Sequence, residues 1–134
     1  MLLYKIPGKP IAWARARRMG NRYFDPQYEA KKNIRNEVLE SLKGFDLPLK
    51  GLLLVQYAFV FEMPKSWSQK KKDLNLFNHH TGHVDLDNLI KFQNDMFNEV
   101  IWEDDSQIAD ITAAKFWGYE AVTSVSVKIL EKIT

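Results

Sequence analysis

The ten residues Leu52–Phe61 constrain the fold more than any other stretch. Leu53, Val55, Tyr57, Phe59 and Phe61 fall on one side at the two-residue period of a strand, and apolar residues also occupy the other side. That pattern predicts a central strand, which must have neighbours on both edges and a layer packed against it. Ten residues that include Gln56 are too few to span a membrane. The chain has 134 residues, 46% of them hydrophobic, with 8 Phe, 5 Tyr and 4 Trp, enough to cover such a strand in one domain over residues 1–134.

Other elements follow from period and punctuation. Leu2–Ile6 reads as a short strand stopped by Pro7-Gly8, and Lys9–Phe24 as a loop or irregular hairpin. Asp25-Pro26 predicts a helix start, with Ala30, Ile34, Val38 and Leu42 along one face and Gly44 after it. Ser66 is the expected cap of a short lysine-laden helix through Leu74, Asn75–Leu86 is expected to be loop, and Asp87 the N-cap of a helix over Asn88–Ile101. Gln107–Trp117 and Ala121–Leu130 read as a hairpin turning at Gly118, the second arm alternating Thr123, Val125, Val127 and Ile129 with polar residues. The expectation is α+β: a mixed β-sheet with helices packed on it, in the order β-α-β-α-α-β-β.

Charge is unevenly placed. Residues 1–72 hold 15 Lys/Arg against 6 Asp/Glu, and residues 73–134 hold 4 against 11, so +9 and −7 sum to the net +2. Cations for a phosphate backbone and carboxylates for a metal would divide this way, as would two solvated faces of an ordinary domain. No cysteine is present, which excludes disulfides and thiolate metal sites and suits a reducing, cytoplasmic setting. The apolar N-terminal stretch is too short for a signal peptide.

Chemistry concentrates in His83-Val84-Asp85-Leu86-Asp87-Asn88-Leu89-Ile90-Lys91. Asp85 and Asp87 are two apart, and in an extended segment both would point the same way. Paired carboxylates repel unless a cation lies between them, and an oxygen-only donor set suits Mg²⁺, with Mn²⁺ as a substitute. Asp87, Lys91 and Asp95 then form a polar stripe at helical spacing, which places Lys91 to steady charge on a phosphoryl oxygen or simply to pair with its neighbours. Asp104 and Asp105, between a helix end and a strand start, form a second cluster able to reach the first. Alone they would read as surface turn residues; the combination D-x-D-N-x-x-K followed by D-D-S-Q is what raises them above that.

His79, His80 and His83 with Asp85 could be drawn as a zinc site, but their spacing matches no ligand pattern and suits a polar loop better. Arg15, Arg17, Arg18 and Arg22, interleaved with Trp13, Tyr23 and Phe24, suit phosphate forks and base stacking. Lys70, Lys71 and Lys72 add a second basic patch.

Taken together these pieces resemble the RusA family of Holliday junction resolvases, small phage and bacterial endonucleases of recombination and repair. The resemblance rests on Gly8-Lys9-Pro10 with Arg15–Arg18, on Val84–Lys91, on Asp95, Asn98 and Val100, and on Trp102–Ile108 with Lys115 beyond. It implies catalytic aspartates at Asp85, Asp87 and Asp105 with Asp104 adjacent, an essential lysine at Lys91, and a homodimer cutting a four-way junction in paired strands; the expected DNA contacts are Lys9, the arginines, Lys115 and, from the second basic patch, Lys70 and Lys71. The histidine-rich Asn78–His83 departs from the expected pattern. Symmetry points to the same assembly, since a two-fold substrate needs two sites. Six large rings, Trp67, Phe77, Phe92, Trp102, Phe116 and Trp117, are more than a small core must hide. The competing readings are a junction-binding protein without catalysis and a nuclease for flaps or other branched DNA.

Overall fold

The computed structural model describes residues 1–131 and shows an α+β fold in the order β1 (Leu2–Pro7), β2 (Arg17–Met19), β3 (Arg22–Phe24), α1 (Tyr28–Ser41), β4 (Leu52–Glu62), α2 (Gln69–Asn75), α3 (Leu86–Phe97), a 3₁₀ turn (Asp105–Gln107), β5 (Ile108–Gly118) and β6 (Val122–Glu131). The stretch Lys9–Phe24, expected as a loop or irregular hairpin, contains the small hairpin β2–β3, whose two strands add to the expected order.

β4 is central, as its apolar pattern requires: the main sheet runs β1-β6-β4-β5. One face, carrying Leu2, Tyr4, Ile6, Leu53, Val55, Tyr57, Phe59, Phe61, Val125 and Val127, packs under Val38 and Leu42 of the α1 side and Leu89, Phe92, Met96 and Phe97 of α3. The opposite face is lighter, with Leu54, Ala58 and Val60 half-buried and Gln56 exposed. Of the six large rings, Phe92 and Trp102 belong to this core, while Phe77 is exposed.

The expected hairpin between β5 and β6 does not form. β5 pairs parallel with β4, and β6 pairs antiparallel with β4 and β1, so β4 lies between two strands that follow each other in sequence. Residues 119–121 carry the chain across the end of β4. That crossing is fixed by the Met63 amide donating to the Gly118 carbonyl at 2.9 Å and the Gly8 amide donating to the Ala121 carbonyl at 3.1 Å. Gly118 allows the close approach, since a Cβ there would stand 2.5 Å from Val60 Cγ1.

Helix starts shift slightly from expectation. α1 begins at Tyr28, because Asp25 and Gln27 build a turn first: Asp25 Oδ1 accepts from the Gln27 amide at 2.8 Å and the Asp25 carbonyl from the Tyr28 amide at 3.2 Å. Ser68 rather than Ser66 caps α2, its Oγ accepting from the Lys71 amide at 3.1 Å. α3 starts at Leu86 with Asp85 at the N-cap and Asp87 in the first turn, two residues earlier than expected, and ends at Phe97. Asp85 and Asp87 are therefore not neighbours in one extended segment; the cap is extended and Asp87 is helical.

Candidate active site

α3 carries the acidic stripe because its other side is spent on the core: Leu89, Phe92, Gln93, Met96 and Phe97 are buried, leaving Asp87, Lys91 and Asp95 exposed. Asp85 and Asp87 stand at the helix N-terminus, where the unsatisfied amides favour negative charge. Neither makes an ion pair among the described residues, nor do Asp104 and Asp105.

The D-D-S-Q turn divides its work. Asp104 caps the 3₁₀ turn, with Oδ2 accepting from both the amide and the hydroxyl of Ser106. Those bonds hold its carboxyl below the usual carboxylate range. Gln107 completes the capping box by accepting from the Asp104 amide at 2.9 Å, and its Nε2 donates to the carbonyls of Leu49 and Gly51 at 3.0 Å each. Asp105 instead turns inward, where Trp102 Nε1 donates to its Oδ1 at 2.7 Å. Burial pushes the Asp105 carboxyl up, and the charges of Asp95 and Asp104 push it further, against the opposing Trp102 bond. The charge of Asp105 in turn helps burial raise the Tyr57 hydroxyl, which donates to Asn94 Oδ1 at 2.7 Å.

Asp105 thus faces the Asp95 half of α3, while Asp87 lies eight residues earlier, roughly 12 Å along the axis at 1.5 Å per residue. Among the described residues no three His, Asp or Glu side chains converge closely enough to hold a metal ion. The donors nevertheless suit one: they are hard oxygens, without cationic partners, and Asp105 is crowded by two further carboxylates in a way a divalent cation would relieve.

Two neighbours of this site are invisible as local motifs. Trp13 lies beneath Lys91, whose Nζ is 3.6 Å from the indole centroid, and the Trp13 amide donates to the Asn88 carbonyl at 2.9 Å. Lys115, expected at DNA, reaches from β5 to the carbonyls of Gly82 at 3.3 Å and Val84 at 2.7 Å, bracing the loop that ends at Asp85.

The other basic residues expected at DNA lie on the strap, the β2–β3 hairpin and α2. Gln27 anchors the strap before the hairpin, its side chain donating to the Ala12 carbonyl at 2.8 Å and accepting from the Ala14 amide at 3.0 Å. Beyond that anchor Arg15, Arg17, Arg18 and Arg22 are all exposed, as are Tyr23 and Phe24. Arg18 donates to the Gly20 carbonyl and lies 6.0 Å from the Tyr23 ring. Lys9 follows the exposed Gly8, and exposed Lys70 and Lys71 lie on α2, with Lys71 Nζ 4.3 Å from the Trp67 ring. The histidines do not form a zinc site. His79 stacks on Phe116 at 5.4 Å, and His80 Nδ1 accepts from the Gly82 amide at 3.0 Å.

The chain is 34% identical over 70 residues to the uncharacterized protein YqaN of Bacillus subtilis (strain 168), and it spans about half the length of that relative, 49% of each chain. The sequence model of the RusA endodeoxyribonuclease family matches residues 7–129, from the end of β1 to near the end of β6 and including every carboxylate, lysine and arginine discussed above. The chain belongs to the RusA endodeoxyribonuclease family.

Proposed function

We propose that this protein is a divalent-metal-dependent, structure-selective endodeoxyribonuclease that resolves four-way DNA junctions by paired phosphodiester hydrolysis, as a homodimer, in recombination and repair. The observation that carries the reading is an exposed acidic face on α3, without ion pairs among the described residues, on a helix tied to the strap of an exposed arginine hairpin, within a chain matched to a nuclease family from residue 7 to 129.

Each group has a distinct task in this reading. Asp85 and Asp87 at the start of α3, and Asp105 with Asp104 beside its far half, would hold one or two cations. Mg²⁺, or Mn²⁺ in its place, supplies when bound the polarisation that makes water a nucleophile and offsets charge on the departing 3′ oxygen, leaving a 5′ phosphate. Lys91 presents its ammonium, held on the Trp13 ring, to a phosphoryl oxygen. Lys9, the four arginines and Lys70 and Lys71 bind backbone phosphates. Lys115 keeps its ammonium on the Gly82 and Val84 carbonyls and so acts through Asp85 rather than on DNA.

The chain lacks cysteine, and no helix among the described residues is long and apolar enough to cross a membrane, both in keeping with a cytoplasmic enzyme. The decisive experiment incubates the protein with a synthetic junction in Mg²⁺ or EDTA, beside linear duplex of the same sequence. Paired cuts in the junction that EDTA abolishes support the reading. Binding without cutting in Mg²⁺ or Mn²⁺ would mark a non-catalytic junction binder, and stronger cutting of flaps would move the substrate to other branched DNA.

A further inference from the structure

A run of aromatic rings leads from the edge of the core outward beside the loop that precedes Asp85, with Phe61 buried and His80, Trp117 and Trp67 half-buried. Phe61 and His80 have centroids 4.3 Å apart, His80 and Trp117 4.2 Å, and Trp117 and Trp67 4.9 Å. A lysine stands on either side: Lys71 lies 4.3 Å over Trp67, and Lys9 lines the cleft with His80. Phe61, His80 and Trp117 line an open cleft of about 740 Å³ that also reaches Val84, one residue before Asp85, while Trp67 and Lys71 stand outside it. Tyr119 stands at its mouth, 49% exposed, its hydroxyl accepting from Gln69 of α2 at 2.9 Å.

The cleft's polar groups are few and fixed. His80 Nδ1 accepts from the Gly82 amide, so the ring proton resides on Nε2. Burial, with Lys115 and Lys9 adding to it, favours the neutral ring. Gly82 is needed for that bond, because a Cβ there would collide with the imidazole edge. Glu62 and Glu120 at the rim are acceptors only, suited to an amino group rather than to a phosphate. Aromatic rings lining an open cleft, with a lysine on either side, are features by which proteins hold unpaired nucleotides.

We propose that the Phe61–His80–Trp117 cleft is a binding site for one unstacked nucleobase from the strand being cut, with Lys9 and Lys71 on the flanking phosphates. The site rests on the junction reading above and deepens it: the base entering the cleft neighbours the phosphate addressed by Asp85, so the enzyme's choice of cutting position is read here. No arginine of the β2–β3 hairpin takes part.

Photocrosslinking tests the site in the unaltered protein. Junctions carrying 5-iododeoxyuridine at successive positions around the branch point are bound in Ca²⁺, irradiated, and the linked peptides identified by mass spectrometry. Links from nucleotides beside the cut phosphate to His80, Trp117 or Tyr119 are expected. A junction that is bound, and cut in Mg²⁺, but whose links lie only elsewhere overturns this site and leaves the nuclease reading intact; a junction neither bound nor cut overturns both. A coupling experiment adds a second readout. An abasic nucleotide at the linked position should lower cutting about tenfold, the order of one base stack, and His80→Ala should do the same on the intact junction. The two effects should not multiply when combined, and independent effects overturn the proposal. Tyr119→Ala at the exposed mouth replaces His80→Ala if that variant fails to fold.

Discussion

Lys91 Nζ sits 3.6 Å from the centre of the Trp13 ring, although the two residues lie far apart along the chain. The Trp13 backbone is itself bonded to Asn88, so the strap leading into the arginine hairpin is tied to the first turns of α3. Trp13→Ala should therefore lower cutting by about tenfold, within the range of one cation–π interaction, while junction affinity changes little. Trp13→Phe should recover part of the rate, and Trp13→Ala in a Lys91→Met background should cost nothing further. A full additional drop in the double variant would mean that Trp13 acts elsewhere.

Asp85→Asn and Asp87→Asn each remove a carboxylate charge and leave the hairpin untouched. Cutting should fall below detection and junction binding should persist, as read by cleavage and gel-shift assays on the same preparations. Mg²⁺ should also raise the melting temperature of the parent protein and not that of either variant, since a cation bound only by the native state stabilises it. Undiminished cutting by either variant would remove that residue from the site.

Replacing Arg15, Arg17 and Arg18 together by Ala should weaken binding to every DNA tested. The log–log salt slope should flatten by about 0.9 for each phosphate no longer neutralised. All three side chains are exposed, so thermal stability should hold. Weaker binding at an unchanged slope would give them a structural role.

Asp25 and Lys31 form the least exposed ion pair among the described residues, at 2.7 Å, with the Lys31 side chain 10% exposed. Burial pushes the Asp25 carboxyl up, but the Lys31 bond, the Gln27 amide and the charges of Lys31 and Arg35 together hold it below the usual range. A depressed acid stabilises the fold above its unfolded value, near pH 3.9, and loses that contribution as pH falls through the lower folded value. Asp25→Asn should cost about 1–2 kcal/mol at pH 7, mostly from leaving Lys31 without its counter-charge, with solvent at the half-exposed carboxylate keeping the figure below that of a buried pair. The gap between variant and parent should narrow below pH 4 in urea melts.

In solution the protein should sediment as a dimer, twice the 15.7 kDa chain, at micromolar concentration. Two sites related by the two-fold symmetry of the junction permit paired cuts. A species that stays monomeric on the junction and still makes paired cuts would overturn that symmetry argument.

Much of the fold is legible in the residues. The central position of β4 follows from apolar residues on both its faces, and the identity of α3 from Leu89, Phe92, Met96 and Phe97 recurring at helical spacing. The start of α3 is not, because Asp85 and Asp87 are equally good capping residues and only the fold chooses between them. Strand period shows in Thr123, Val125 and Val127, but period names no partner, and β6 pairs with β1 and β4 rather than β5. Within the site, the carboxylates announce themselves by spacing. Trp13 does not, for it sits between Ala12 and Ala14 ahead of the arginine run and its partner lies on a distant helix.

The strand order also sets a timetable for folding. β1 finds its sheet partner in β6, where Leu2 meets Val127, and β6 must enter between β1 and β4. Until it does, β4 keeps one edge open and β1 has nothing to pair with, while β4, α3 and β5 are already able to assemble. Closing so long a loop last makes for slow folding. A bare edge on the most apolar strand, waiting through that delay, is where nascent chains would join one another instead.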